Sequence, residues 1–151
     1  VVTGQYRLPF NAGIFHPNDD NSYYNYAIED TGNKTMGRGV VKTTTLEIGG
    51  FVDIPRGWTA TGSFLDVRDS SGNVITSSPP TYDVRIVYTH QAGGTIPTAG
   101  ALYYYGAEAI NTENSFLSGV LAAVGLTLYI DVNMTSTSHY IGGGYIILTA
   151  P

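Results

Sequence analysis

The clearest alternation of apolar and polar positions runs from Leu126 to Val132, where Leu126, Leu128, Ile130 and Val132 fall on one face of an extended chain and Thr127, Tyr129 and Asp131 on the other. The spacing predicts a half-buried strand. Burying its four inward side chains contributes roughly 6 to 12 kcal/mol, at about 1.5 to 3 kcal/mol each, an upper bound before ordering costs. A polar turn from Met134 to Ser138 leads into a second apolar run, His139 to Ala150, carrying Ile141, Tyr145, Ile146, Ile147 and Leu148. The two runs read as a C-terminal antiparallel hairpin. Thr81 to Thr89 alternates as cleanly, with Tyr82, Val84, Ile86 and Tyr88 inward and Asp83, Arg85 and Thr89 outward.

The rest of the chain is strand and turn. Val1 to Phe10 alternates weakly around Pro9 and reads as an edge strand or an extended arm, whose contact residues are Tyr6, Leu8 and Phe10. Asn11 to Ser22 is a loop, Tyr23 to Glu29 resumes strand character, and Asp30 to Lys34 is a turn. Val40 to Ile48 is a Thr-rich strand closed by Gly49-Gly50, followed by a short strand, Phe51 to Ile54, that stops before Pro55. The turn Ile54-Pro55-Arg56-Gly57 delivers Trp58 into a strand reaching about Val67, with Trp58, Ala60, Gly62 and Phe64 on one face and Leu65 and Val67 on the other. A single Trp at a strand start suits the core. Asp69 to Asn73 is a hairpin turn into Val74-Ile75-Thr76. Gln91 to Gly100 is a loop, Ala101 to Ile110 a strand interrupted at Gly106, and Asn111 to Ser118 a polar loop or short helical turn. About eight strands with turn signals every 8 to 12 residues and no helix predict an all-β, single β-sandwich domain over residues 1–151. A jelly roll is favoured over an immunoglobulin-like sandwich, because the Cys-Trp-Cys framework of the latter is absent.

A chain of 151 residues can bury enough surface to fold without disulfides or metal. With no Cys, thiolate metal sites and Cys nucleophiles are excluded and the redox compartment stays open. The formal charge of −5 and the scattered Arg7, Lys34, Arg38, Lys42, Arg56, Arg68 and Arg85 offer no basic patch for nucleic acid. No apolar run approaches the ~18 residues of a membrane helix. The chain starts at Val1 with no signal-peptide pattern, so a processed terminus and an internal start are equally open. Twelve Tyr, 19 Gly and 13% charged residues make a strand-and-turn composition that suits a surface partly covered by partners.

Candidate chemistry is sparse. His16, His90 and His139 lie in or beside loops without metal-ligand spacing, and no Gly-x-Ser-x-Gly turn occurs. The acids Asp19 with Asp20, Glu29 with Asp30, and Asp66 with Asp69 read as turn residues, since neighbours on an extended chain point apart. No cofactor is expected. Asn18, Asp19 and Asp20 could offer oxygen ligands to Ca²⁺, without the spacing of a helix-loop-helix calcium site. Asn33-Lys34-Thr35 and Asn133-Met134-Thr135 match the glycan acceptor pattern, an ordinary chance occurrence. Two aromatic clusters carry more weight: Tyr23, Tyr24 and Tyr26, then Tyr103, Tyr104 and Tyr105. Contiguous aromatics on a strand expose some rings, and an exposed Tyr suits stacking on sugars or filling a subunit interface; cross-strand aromatic pairing is the structural alternative.

Phe51-Val52-Asp53-Ile54-Pro55-Arg56-Gly57-Trp58-Thr59-Ala60-Thr61-Gly62, with Leu128 to Val132 and His139-Tyr140-Ile141-Gly142-Gly143-Gly144-Tyr145-Ile146-Ile147-Leu148 downstream, resembles the small all-β virion structural proteins of tailed bacteriophages. The resemblance covers the layout from Val40 to Pro151 and carries over no catalytic residue. It implies a capsid decoration, head-fibre or tail-tip protein on the virion exterior. The expectation is a non-enzymatic, self-assembling virion component, a trimer in first expectation, docked on a capsid or appendage protein. One alternative is an extracellular carbohydrate-binding module or receptor-binding lectin-like domain, with Tyr23, Tyr24, Tyr103, Tyr104 and Trp58 stacking on a surface glycan. Another is a surface filament subunit joined by strand donation from Val1 to Phe10.

Overall fold

In the computed structural model, residues 4–17, 26–29, 38–41, 47–90, 104–122 and 125–151 are described. They form eleven strands: β1 (Gln5–Phe10), β2 (His16–Pro17), β3 (Tyr26–Glu29), β4 (Arg38–Val41), β5 (Glu47–Ile54), β6 (Thr59–Arg68), β7 (Thr81–His90), β8 (Tyr104–Ala109), β9 (Asn114–Leu121), β10 (Gly125–Asn133) and β11 (Tyr140–Thr149). A single 3-10 turn, Ala12–Ile14, follows β1, and the Asn11 side chain caps it by accepting from the Gly13 N–H at 2.8 Å. All pairings are antiparallel. One sheet, called A, has the order β3-β4-β11-β6-β9 with β1 also on β11; the other, B, runs β2-β5-β10-β7-β8. The chain is thus an all-β, two-sheet sandwich.

Eight of these strands pair in a nested way: β4 with β11, β5 with β10, β6 with β9, and β7 with β8. The inner edges then join β11 to β6 in sheet A and β10 to β7 in sheet B. Between the sheets lies the core that the alternation predicts. Leu126, Leu128, Ile130 and Val132 of β10, Tyr82, Val84 and Ile86 of β7, and Ile48, Val52 and Ile54 of β5 meet Val41, Leu65, Val67, Ile141, Ile146 and Leu148 of sheet A, all buried. Trp58 is half-buried against this cluster, its ring 5.9 Å from that of Tyr6.

The C-terminal hairpin does not form. β10 pairs with β5 and β7, whereas β11 pairs with β1, β4 and β6 in the opposite sheet. Two central strands each bury a full apolar row more completely face to face than side by side, so the polar Met134–Ser138 segment crosses between sheets. Nor does Gly49-Gly50 end a strand: β5 runs through both, because the Tyr129 ring occupies the space over Gly49 and Ile14 packs over Gly50. Asn111 to Ser118 proves largely strand, since Asn114 and Ser115 pair with Ser63 and Gly62. Only Phe116 is buried along β9, too weak a pattern to read locally. An extra residue at Thr61 shifts β6 against β11, so Ser63, Leu65 and Val67 face inward while Phe64 turns out to stack on Tyr145 at 5.0 Å.

Residues 5–10 take the edge-strand alternative, on the chain's own β11 from Gln5↔Thr149 to Phe10↔Gly144. Leu8 and Phe10 pack against the core and Tyr6 stays half exposed.

A polar bridge ties the layers together. The buried Tyr82 hydroxyl of sheet B lies 2.9 Å from Ser63 Oγ of sheet A and accepts from Asn114 Nδ2 at 2.9 Å, and burial raises its pKa. Tyr82→Phe should therefore lower stability by about 1–3 kcal/mol, since it takes this partner from the buried Ser63 hydroxyl, while Asn114 keeps the Ala109 and Thr112 carbonyls. Leu128→Ala should cost about 2–5 kcal/mol through cavity formation. Leu117→Ala, at a side chain 100% exposed, should stay within about 0.5 kcal/mol. Urea unfolding of the three variants checks this ranking.

Candidate functional site

Among the described residues, a cluster of ionisable and aromatic side chains lies on the outward face of sheet B. Alternation puts Glu47, Gly49, Phe51 and Asp53 of β5, Thr127, Tyr129, Asp131 and Asn133 of β10, and Thr81, Asp83, Arg85 and Val87 of β7 on that face. Register fixes the neighbours: Asp131 stands opposite Gly49 on one side and Asp83 on the other, while Tyr129 stands between Phe51 and Arg85.

Although this face points away from the core, Asp131 is 0% exposed and Asp83 and Thr127 are buried. Arg85 Nη2 lies 2.9 Å from Asp131 Oδ2. Asp83 Oδ1 accepts from the Ala107 N–H at 2.8 Å, where β8 bulges and Ala107 takes a positive φ of 57°. Thr127 Oγ1 donates to Asp53 Oδ1 at 2.7 Å, and Phe51, 59% exposed, lies ring to ring with Tyr129 at 5.0 Å. Burial lifts the Asp131 carboxyl to about 7, helped by hydrogen bonding and charge from Glu47 and by the charge of Asp83, against the pull of Arg85. Burial, with the charge of Asp83, also raises Glu108 on β8.

A second polar cluster spans the outward face of sheet A. Arg7 Nε and Nη2 donate to Glu113 Oε1 at 3.1 and 2.7 Å, the Tyr145 hydroxyl donates to the same oxygen at 2.6 Å, and the guanidinium lies 5.4 Å from the Tyr145 ring centre. Tyr145, then Arg7, hold the Glu113 carboxyl below the usual carboxylate range. The cluster ties β1 to the β8–β9 turn across β11 and β6.

The aromatic candidates fare differently. Tyr26 points inward: it packs over Gly39, its hydroxyl donates to the Ala12 carbonyl at 2.6 Å, and burial pushes its pKa up. Tyr105 is half-buried, stacked on Phe116 at 4.4 Å and donating to the Ser118 carbonyl at 2.7 Å. Both are engaged within the chain. Tyr104 belongs to β8, but its side chain, with Tyr23, Tyr24 and Tyr103 entirely, lies outside the described residues, as do Asn18, Asp19 and Asp20. Of the other acids, Asp66 pairs with Arg68 at 2.8 Å, and Asp69 accepts from Ser71 and Asn73 N–H groups at 2.9 Å in its turn. Burial lowers the pKa of His139. Among the described residues no group of three or more His, Asp or Glu is gathered for a metal ion, and no helix is long and apolar enough to cross a membrane.

Sequence reading missed the Asp131 cluster and the Phe51–Tyr129 pair, although it set Asp83, Arg85, Tyr129 and Asp131 outward. Three adjacent strands bring them together, and the available signal was an acid, Asp131, in the middle of a strongly apolar strand. The class that the fold defines is an antiparallel all-β sandwich, with polar and aromatic clusters on both outer faces. No family model matches the chain, and no curated protein is significantly similar to it.

Gly49→Ala should force the Tyr129 ring off the strand, costing about 1–3 kcal/mol by overpacking. Urea unfolding with the Tyr129 ring resonances checks this; unchanged shifts and stability would show that the ring does not need that space.

Proposed function

We propose that this chain is a non-enzymatic structural protein of a virion, a jelly-roll domain that assembles with copies of itself and docks on a capsid or appendage. The single observation that carries the reading is the nested pairing of β4–β11, β5–β10, β6–β9 and β7–β8. A long hairpin of eight strands rolled into two four-stranded sheets produces that order, and such double-sheet jelly rolls serve in viral capsids and lectins. The immunoglobulin order sets four strands against three with other neighbours. The resemblance of Phe51–Gly62 and of the β11 sequence to phage virion proteins agrees with it, and the charge of −5 suits an exterior position away from packaged nucleic acid.

Self-assembly also agrees with the apolar surface left over. Leu117, fully exposed, and Leu121 lie on β9, the outer strand of sheet A, while Ile28 lies on β3 at its other side. Strand donation from Val1 to Phe10 is the weaker reading, since residues 5–10 already occupy their own β11 and would have to leave it.

The exposed Phe51 beside Tyr129, with the Asp53–Thr127 hydrogen bond adjoining, favours a second reading, a glycan-binding face. These aromatics differ from the tyrosine clusters expected to stack on sugars.

Sedimentation and light scattering of the full chain should show a discrete homo-oligomer, a trimer in first expectation. Indefinite polymers would overturn the reading in favour of filaments. A monomer that binds a glycan array, and loses that binding in Phe51→Ala, would replace it with the lectin reading.

A further inference from the structure

We infer that the outward face of sheet B is a pH-sensitive latch, in which the buried Asp131 carboxyl holds a proton shared with Glu47 and the loss of that proton loosens β10 between β5 and β7. The geometry is that of a charge with too few partners. Asp131 is 0% exposed at the middle of the central strand, and neither of its oxygens accepts a well-aligned hydrogen bond from a protein donor, its 2.9 Å ion pair with Arg85 notwithstanding. Diagonal to Asp131 on the same face, two residues along the β5–β10 register, the Glu47 carboxyl also acts on it, and it is another acceptor when ionised. Two carboxylates satisfy each other only with a proton between them, the protonated Asp131 donating to Glu47.

The surroundings deepen the need. From β7, Asp83 stands directly opposite Asp131 and Arg85 provides the cation; from β5 come Glu47 and, further along, Asp53. Glu108 of β8 approaches through Asp83, and His16 of β2 pairs at Gly49. With every acid ionised, the charges of Glu47 and Asp83 would both act against that of Asp131, and like charges directly opposite in an antiparallel ladder, as Asp83 and Asp131 are, repel. One proton removes the worst of these contacts.

The sign follows from linkage. Folded Asp131 takes its proton at about 7, whereas an unfolded Asp does so near 4. In the window between, the folded chain binds the extra proton, so this contribution is complete below about pH 4, falls as pH rises, and is gone above about 7. A separation of this size corresponds to roughly a hundred- to thousandfold in the folding constant. The latch belongs to the scaffold, so it stands whatever the chain assembles with.

The test is the Asp131 carboxyl ¹³C titration in the full chain, together with urea unfolding from pH 5 to 9 for wild type, Asp131→Asn and Glu47→Gln. The expected result is a midpoint for Asp131 near neutrality and a wild-type folding constant that falls at least tenfold between pH 5 and 8. Asp131→Asn, fixed in the neutral form, should flatten that profile, and Glu47→Gln should lower the Asp131 midpoint. An Asp131 midpoint below pH 5, or parallel pH profiles in wild type and Asp131→Asn, would overturn the inference. If Asp131→Asn does not fold, the wild-type titration and Glu47→Gln decide: an Asp131 midpoint unmoved by Glu47→Gln overturns it.

Discussion

The fold depends on two central strands packing face to face. β10 and β11 are each hydrogen-bonded on both sides, so neither can bury its apolar row against a sheet neighbour; each must find cover across the sandwich. Leu126, Leu128, Ile130 and Val132 meet the side that Ile141, Ile146 and Leu148 present. Because the two rows belong to consecutive strands, their meeting requires the chain to change sheets between them. The crossover at 134–138 is the consequence, and so is the nesting of the earlier strands around the pair.

Polar groups inside such a sandwich need partners, and the molecule handles two of them differently. Tyr82 sends its hydroxyl across the core to Ser63 and Asn114, so that a fully buried aromatic also joins the sheets. Sheet B's outer face instead keeps an aspartate out of water with one arginine near it and two acids around it. The first arrangement joins neutral groups, with the Tyr82 hydroxyl held protonated by burial. The second depends on a proton, because the attraction of one guanidinium is set against desolvation and the neighbouring carboxylates.

These features bear on function through what they leave at the surface. In the self-assembling reading proposed above, the exposed Leu117 and Leu121 on the sheet A edge would meet copies of the chain. Phe51 and Tyr129 on the other sheet supply an aromatic pair with an exposed member beside the Asp53–Thr127 hydrogen bond. A decoration protein that also touches a host surface would use both faces, so the structural and glycan-binding readings divide the molecule between them.

The class of the fold was legible in the residues because it rests on local alternation. Period-two patterning in 81–89 and 126–132, with Gly, Pro and Asp-rich turns between, specifies strands and which side of each faces inward. Pairing was not legible, since an alternating strand is equally compatible with any neighbour of the same pattern. Hence alternation predicts a hairpin where β10 and β11 in fact lie in opposite sheets, and a loop or short helical turn over 111–118, because β6 supplies the partner that the sequence of β9 does not announce. Clustered tyrosines predict some exposed rings or cross-strand pairs; Tyr26 and Tyr105 turn inward over Gly39 and onto Phe116, spaces created by other strands. Alternation alone turns Asp131 away from the core; its burial there comes from the pairing of strands, because Glu47, Asp83 and Arg85 approach it from the two neighbouring strands of the sheet.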